Sequence, residues 1–172
     1  MSDNTTNKNP EQSFMVVPAF GHCQELRLGV SGWQNAMARI KEAQHLVPSN
    51  YSNLEFVFQE AWREARNNSI RVGDAIKKAM QNVEEIKADI LLTEIPKILE
   101  TMPKNTNNAD FRKAIFTKNV DYQKANEHLE KLQAMLEHFE SHMKIMENTS
   151  RFLKKQMDYY IRSGVSTGIT MR

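Results

Sequence analysis

The sequence predicts an all-α protein, an elongated helical hairpin or bundle with a long C-terminal helix of the coiled-coil type. Two observations lead to this prediction. Glycine (6) and proline (5) are scarce among the 172 residues, which disfavours a turn-rich β fold. In addition, the C-terminal third carries an apolar seam whose steps alternate between three and four residues, and this is the period of a coiled coil.

Four regions differ in composition. Residues 1–13 are polar and lack an apolar period, which predicts a disordered tail. Residues 14–30 open with the apolar run FMVVPAF and predict an extended arm, packed either across the chain's own helices or on a neighbouring subunit. Residues 31–164 carry helical periods and predict the helical domain. Residues 165–172, rich in Gly, Ser and Thr, predict a flexible tail.

The first half of the helical domain predicts two helices. One begins near Ser31 and is ended by Pro48. The polar residues that follow supply N-cap candidates for the next helix: Ser49, Asn50, Ser52 and Asn53. The run Asn67-Asn68-Ser69 weakens the apolar period there and predicts a bend or a break. The period resumes at Ile70 and continues to Met102, with a kink predicted at Pro96.

The final helix is the most informative segment. It is predicted to follow a loop over residues 103–108, to start near Asp110 and to end at Gly164. Its seam contains the residues assigned to oligomerisation: Leu129, Leu132, Leu136, Phe139, Met143, Met146, Leu153 and Met157.

The length of this seam predicts a homo-oligomer. From Tyr122 to Tyr160 a straight helix spans about 58 Å, whereas a compact globule of this size has a radius of gyration of about 16 Å. The segment from Ile70 to Met102 can cover part of the seam as an antiparallel partner. We expect a second copy to cover the rest.

The sequence contains no convincing catalytic constellation. It has no glycine-rich phosphate loop, no CxxC and no HExxH, so we expect a protein that is not an enzyme and that needs no metal or cofactor. His138 and His142 lie four apart and are interpreted as a solvated pair, because HFESH departs from the metalloprotease pattern. The single cysteine, Cys23, excludes an internal disulfide framework and is interpreted as inert packing.

The same features predict the compartment. The N-terminus lacks the charged-then-apolar layout of a signal peptide. No stretch approaches the ~20 apolar residues that a membrane span requires. A lone cysteine fits a reducing environment. We therefore expect a soluble cytoplasmic protein without a membrane partner, located in the host-cell cytoplasm if the protein is viral.

Charge is concentrated near the C-terminus. The net charge of +2 is too small to predict nucleic-acid binding by itself. The segment from Lys144 onward, however, contains six basic residues and only two acidic ones, Glu147 and Asp158. The basic residues are Lys144, Arg151, Lys154, Lys155, Arg162 and Arg172. The same segment holds Phe152, Tyr159 and Tyr160, and cations interleaved with aromatic rings suit single-stranded nucleic acid. The alternative is a solvated helix surface on which Tyr160 belongs to the seam.

The C-terminal helix resembles a known family. The stretch LEKLQAMLEHFESHMKIMENTSRFLKKQMDYYIRSG, residues 129–164, is similar to the C-terminal helix of the UvsY-like phage recombination mediators. Within it, LKKQMDYY resembles that family's basic Tyr-Tyr motif for single-stranded DNA. The resemblance implies a small helical protein that oligomerises, binds single-stranded DNA and helps to load a RecA-like recombinase. The residues implied in DNA contact are Lys154, Lys155, Tyr159, Tyr160 and Arg162.

Two functions therefore stand at the level of sequence. The first is an oligomeric, non-enzymatic protein that binds single-stranded DNA as an accessory factor in recombination or replication, with Arg151 added to the DNA-contacting residues. The second is a structural or scaffold coiled-coil protein, such as a virion component or an adaptor, that does not bind nucleic acid. Both share the same predicted fold.

Overall fold

A computed structural model describes residues 13–101 and 108–164. This part of the chain contains two short strands and six α-helices: β1 Phe14–Val17, β2 Leu26–Gly29, α1 Ser31–Ala38, α2 Ile40–Gln44, α3 Tyr51–Asp89, α4 Ile95–Leu99, α5 Ala109–Lys118 and α6 Val120–Arg162. The predicted all-α class is confirmed. Among the described helices, none combines the length and the apolar character that crossing a membrane requires.

The segment predicted as an extended arm folds back on itself. Strands β1 and β2 pair in a two-stranded sheet, and an antiparallel bridge between Phe20 and Cys23 closes the turn that joins them. Gly21 stands in this turn at φ 53°, in the left-handed region that glycine adopts without strain. The prediction missed the strands because whole-chain composition does not report on two four-residue elements. The predicted tails lie outside the described residues, apart from Ser13.

The first predicted helix is two helices. Arg39 leaves helical geometry at φ −100° and ψ 5°, between α1 and α2. Its guanidinium donates to the carboxylate of Glu42 at 2.7 and 3.1 Å and to Asn53 Oδ1 at 2.9 Å. Helix α2 ends ahead of Pro48, which instead begins the short 3₁₀ turn that leads into α3. These side-chain bonds stabilise a break that the apolar spacing did not indicate.

Of the bend or break predicted over residues 67–69, the break is wrong. Helix α3 continues through it without interruption. Asn68 is buried, and its Nδ2 donates a 2.6 Å hydrogen bond to the carbonyl oxygen of Gly29. Asn68 therefore occupies a core position as a satisfied polar group.

The kink predicted at Pro96 corresponds to a change of helix type. A π-helical segment, Ile90–Glu94, joins α3 to α4, and Pro96 lies in the first turn of α4. A proline inside a helix removes one hydrogen bond and its ring clashes with the preceding turn. The π-helical segment lies immediately before Pro96, in the turn where the lost hydrogen bond and the ring clash would otherwise occur.

The final predicted helix is also divided. Asn119 lies between α5 and α6, and its Oδ1 accepts a 2.9 Å hydrogen bond from the backbone N–H of Tyr122. Its Nδ2 donates to Glu94 Oε1 at 2.9 Å. Asn108, the one described residue of the predicted loop, caps α5 through Phe111 N at 2.8 Å. The predicted stop is confirmed, because α6 ends at Arg162 and Gly164 adopts φ 68°.

Helix α6 shows the predicted seven-residue period in its burial. Every seventh residue of one series is at most 1% exposed: Ala125, Leu132, Phe139, Met146 and Leu153. The alternate series is half-buried: Tyr122, Leu129, Leu136, Met143, Ser150 and Met157. At 43 residues the helix is about 65 Å long. Four residues assigned to oligomerisation, Leu132, Phe139, Met146 and Leu153, are thus covered within a single chain. The oligomeric state itself stays a prediction.

The contacts of the chain group it into two units. The first combines Arg27–Asn68 with the described parts of Met1–Val16 and Phe139–Arg172. Its core joins α1, α2, the start of α3 and the end of α6: Ala36, Ala43, Leu46, Leu54, Val57, Phe58, Ala61, Met146 and Leu153. Trp33, Ile40, Tyr51 and Trp62 pack against that core.

The second unit combines Val17–Leu26 with the described parts of Ser69–His138. Its buried apolar residues include Cys23, Val72, Ala75, Ala79, Val83, Ile90, Ile95, Ala125 and Leu132. Burial raises the pKa of the Cys23 thiol, and the positive charge of Lys78 only partly opposes this. The thiol is therefore held in its unreactive protonated form.

Candidate nucleic-acid interface

The packing of the first unit determines which face of α6 is exposed. Met146 and Leu153 are fully buried in its core. Near the end of the helix, the hydroxyl of Tyr160 donates a 3.0 Å hydrogen bond to the carbonyl oxygen of Leu46. Three points along α6 are thus anchored on the same side. The opposite side is left to solvent.

Four cations lie together on that opposite side. An α-helix turns about 100° per residue, so Lys144, Arg151, Lys155 and Arg162 fall within about 40° of one another around α6. All four side chains are exposed. We call them the cationic stripe. It runs for about 27 Å along the helix axis, a length over which several phosphates of an extended strand can be contacted.

One cation of the stripe is ion-paired, and Asp158 is the exposed acidic residue that lies beside the stripe on α6. Arg151 Nη2 lies 3.9 Å from Glu147 Oε2, with both side chains exposed. Within the described ranges, 13–101 and 108–164, Lys144, Lys155 and Arg162 form no ion pair. Exposed ion pairs contribute about 0–1 kcal/mol. The cations of the stripe are therefore available to an anionic ligand.

Two exposed aromatic side chains flank the stripe. Phe152 and Tyr159 stand about 60–80° around the helix from its centre line, both on the same flank. Their exposed fractions are 41% and 67%. The flank therefore offers ring faces next to cations, which is the combination that proteins use to bind single-stranded nucleic acids.

A cleft lies on the other flank of α6, against the first half of α3. It has a volume of about 390 Å³ and is lined by Gln59, Trp62, Arg63, Met146, Glu147, Ser150, Arg151 and Lys154. We call it the Trp62 cleft. Arg151 belongs both to this cleft and to the cationic stripe, so the two surfaces are continuous.

The polar groups of the cleft are already paired with one another. The indole Nε1–H of Trp62 donates to Glu147 Oε1 at 3.1 Å, and Arg66 Cζ lies 5.3 Å from the centre of the indole ring. Lys154 Nζ lies 3.5 Å from Glu55 Oε1. Arg63 pairs with Glu60, one turn away on the same helix. These three cations match three carboxylates, and Arg151, which also lines the cleft, adds a fourth cation, so the cleft keeps a modest positive charge.

No family model, curated protein or solved structure matches this chain. The function is therefore inferred from the residues of the interface themselves.

The structure distributes the sequence-predicted residues over three surfaces. Arg151, Lys155 and Arg162 lie in the stripe. Lys154 turns towards the Trp62 cleft, and Tyr159 lies on the aromatic flank. Tyr160 contacts Leu46 and is half-buried, so its hydroxyl has a structural partner.

Sequence reasoning missed the contribution of α3. No functional role was predicted for Trp62, Arg63 or Arg66. The signal was nevertheless present, because WREAR interleaves an aromatic residue with cations just as the C-terminal segment does. What the sequence lacked was the pairing of this turn of α3 with residues 147–154 of α6.

The prediction that both histidines of the pair on α6 are solvated is wrong for His142. His142 is buried, and its ring stacks on Trp33 with centroids 3.4 Å apart and an interplanar angle of 4°. The ring of Phe139 meets it edge-on at 6.0 Å. His138, one turn earlier, is exposed. In the part of the chain that the structure describes, no three His, Cys, Asp or Glu residues are placed to hold a metal ion.

Proposed function

We propose that this protein binds single-stranded DNA through the C-terminal part of α6, as an accessory factor in recombination or replication. The observation that carries the proposal is the cationic stripe with exposed aromatic rings along one flank. The four stripe residues are exposed, and Tyr159 is the most exposed ring beside them.

The physics of such a surface is well defined. Each Lys or Arg that contacts a phosphate releases a condensed counterion, which favours binding and makes it sensitive to salt. Each base that stacks on an aromatic ring contributes about 1–3 kcal/mol, whatever its identity. Phe152 and Tyr159 therefore suit a sequence-tolerant grip on unpaired bases. A duplex keeps its bases stacked on one another and gains less from exposed rings.

The accessory role is supported by the resemblance of residues 129–164 to the UvsY-like recombination mediators. If that resemblance reflects function, the second partner is a RecA-like recombinase. The resemblance also favours a homo-oligomer, which would repeat the stripe along a bound strand and raise its avidity. Light scattering at micromolar concentration measures the oligomeric state directly.

Fluorescence anisotropy with a labelled oligo-dT at low salt tests the proposal. We expect the wild-type chain to bind at micromolar concentration and the Lys155→Glu/Arg162→Glu double variant to lose most of that binding. A Lys113→Glu/Lys124→Glu double variant is the matched control, because it changes the charge equally at exposed positions of α5 and the start of α6. We expect it to bind nearly as the wild type does.

The possible outcomes are distinct. Absence of binding by the wild type at low salt would exclude the proposed function and favour the scaffold alternative. Equal losses in the two double variants would show that net charge alone acts, and would contradict the assignment to the stripe.

A further inference from the structure

We propose that the Trp62 cleft receives one nucleobase of the bound strand together with a neighbouring phosphate. This inference rests on the proposed function and adds a site to it, because the cleft lies beside the cationic stripe and shares Arg151 with it. A strand that follows the stripe therefore passes the mouth of the cleft.

The side chain of Trp62 is already ordered in a position that suits such a contact. It packs against the core of the first unit and is only half-buried, so part of the indole remains at the cleft wall. The hydrogen bond from Nε1 to Glu147 fixes the ring further. A ring that is already ordered loses little conformational freedom when a base stacks on it.

The rim of the cleft carries cations that can bind the phosphate. Arg63, Arg151 and Lys154 all line it, one from α3 and two from α6. Each has a carboxylate partner: the Glu60 and Glu147 side chains are about half exposed, and that of Glu55 is half-buried. Such pairs are weak in water, so a phosphate that contacts two of these cations can compete with the partners they have now.

Glu147 is the internal competitor for the site. Its carboxylate accepts from the Trp62 indole and lies 3.9 Å from Arg151. A base stacks on the face of the indole, and Arg66 Cζ lies over one such face, 5.3 Å from the ring centre. The phosphate would contact Arg151, so Glu147 occupies, in the free protein, the place that the incoming anion takes. Replacing it with glutamine removes the charge and keeps an oxygen that can accept from the indole.

The size of the cleft fits this ligand. Pockets for small ligands run from about 300 to 1,000 Å³, and a cleft of about 390 Å³ is at the lower end of that range. This admits one base with its phosphate. A folded oligonucleotide or a second protein would need a larger surface.

Trp62 emission reports occupancy of the cleft directly. The chain has two tryptophans, Trp33 and Trp62, so the Trp33→Phe variant leaves Trp62 as the only one. We expect oligo-dT to quench its emission over the same concentrations at which labelled oligo-dT gains anisotropy. If Trp33→Phe does not fold, the difference between the emission of the wild type and of Trp62→Phe isolates the same signal.

Two further variants give the magnitude. We expect Trp62→Leu to weaken oligo-dT binding by about 5- to 150-fold, the loss of one stacked base. We expect Glu147→Gln to tighten it. If oligo-dT gains anisotropy but Trp62 emission does not change, and Trp62→Leu binds with unchanged affinity, the cleft is not the base-binding site. The proposed function would still stand. Absence of any anisotropy change in the wild type would overturn both.

Discussion

The hydroxyl of Tyr160 donates a 3.0 Å hydrogen bond to the carbonyl oxygen of Leu46. Its neighbour Tyr159 is 67% exposed. The two rings lie 6.4 Å apart in an edge-on arrangement. Two adjacent tyrosines thus have different surroundings: one joins α6 to the segment between α2 and α3, and the other faces solvent beside the cationic stripe.

This difference predicts opposite effects for two substitutions. Tyr160→Phe removes a half-buried hydrogen bond and should lower the free energy of unfolding by about 0.5–1.5 kcal/mol, with little effect on DNA binding. Tyr159→Ala should leave stability nearly unchanged and weaken oligo-dT binding by about 1–3 kcal/mol. Urea unfolding and anisotropy on both variants check the pair. The reverse pattern would assign the DNA contact to Tyr160.

The carboxylate of Glu64 caps helix α1 from the side of α3. Oε2 accepts from Gly32 N at 3.0 Å and from Ser31 Oγ at 3.3 Å, and Oε1 accepts from Trp33 N at 3.1 Å. The first N–H groups of a helix have no partner within it, and a negative charge there also complements the helix dipole.

Loss of this cap should destabilise the first unit. We expect Glu64→Ala to lower the free energy of unfolding by about 2 kcal/mol, as for hydrogen bonds to a charged group. Glu64→Gln keeps one acceptor oxygen and should cost less. Urea unfolding at neutral pH measures both. Equal stability of Glu64→Ala and the wild type would mean that the cap contributes nothing.

Two glycines inside helices should respond in opposite directions to alanine. A Cβ on Gly73 would meet nothing within 4 Å, so Gly73→Ala should raise the free energy of unfolding by about 0.5–1 kcal/mol through helix propensity. A Cβ on Gly32 would lie 3.1 Å from Glu64 Oε1 and 3.3 Å from Ala61 Cα. Gly32→Ala should therefore destabilise. Thermal unfolding distinguishes the two, and a gain at Gly32 would contradict the close approach of α1 to α3.

His128 predicts a dependence of stability on pH. It is buried, its Nε2 has no hydrogen-bond partner in the described part of the chain, and its ring stacks on Phe20 with centroids 5.2 Å apart. Burial lowers the pKa of His128, and the charge of Lys131 lowers it further. The unfolded chain therefore binds this proton at a higher pH than the folded chain, so acid favours unfolding.

The expected result is a loss of stability as the pH falls below about 6.5, the ordinary pKa of histidine. His128→Leu has a side chain of similar size that does not titrate, and it should remove this part of the pH dependence. Urea unfolding of both proteins between pH 7.5 and 5.5 makes the comparison. Parallel pH profiles for the variant and the wild type would show that His128 does not contribute.

The fold could be predicted where a single helix carries the signal. The seam of α6 repeats every seven residues, and its burial follows the repeat from Ala125 to Leu153. The interruptions of the helices could not be fully predicted, because some of the contacts that determine them are distant in sequence. Asn68 stays helical because its side chain donates a hydrogen bond to the carbonyl oxygen of Gly29. Asn119 separates α5 from α6, and its side chain donates a hydrogen bond to Glu94.

The candidate site divides in the same way. Arg151, Lys155 and Arg162 share one helix, so their common face follows from spacing alone. The Trp62 cleft joins Trp62 to Glu147, which are 85 residues apart. No local pattern reports such a pairing. The same holds for Tyr160, whose seam position was visible in the sequence while its hydrogen bond to Leu46 was not.

The salt dependence of oligo-dT affinity tests the cationic stripe most directly. For single strands, the logarithm of the association constant falls with the logarithm of salt concentration by about 0.7 for each phosphate neutralised. Four stripe cations predict a slope of about −3 between 50 and 200 mM salt, and Lys155→Glu/Arg162→Glu should bring it to about −1.5 or weaker. A wild-type slope near zero, or a slope that the double variant leaves unchanged, would contradict a grip on the strand by these cations.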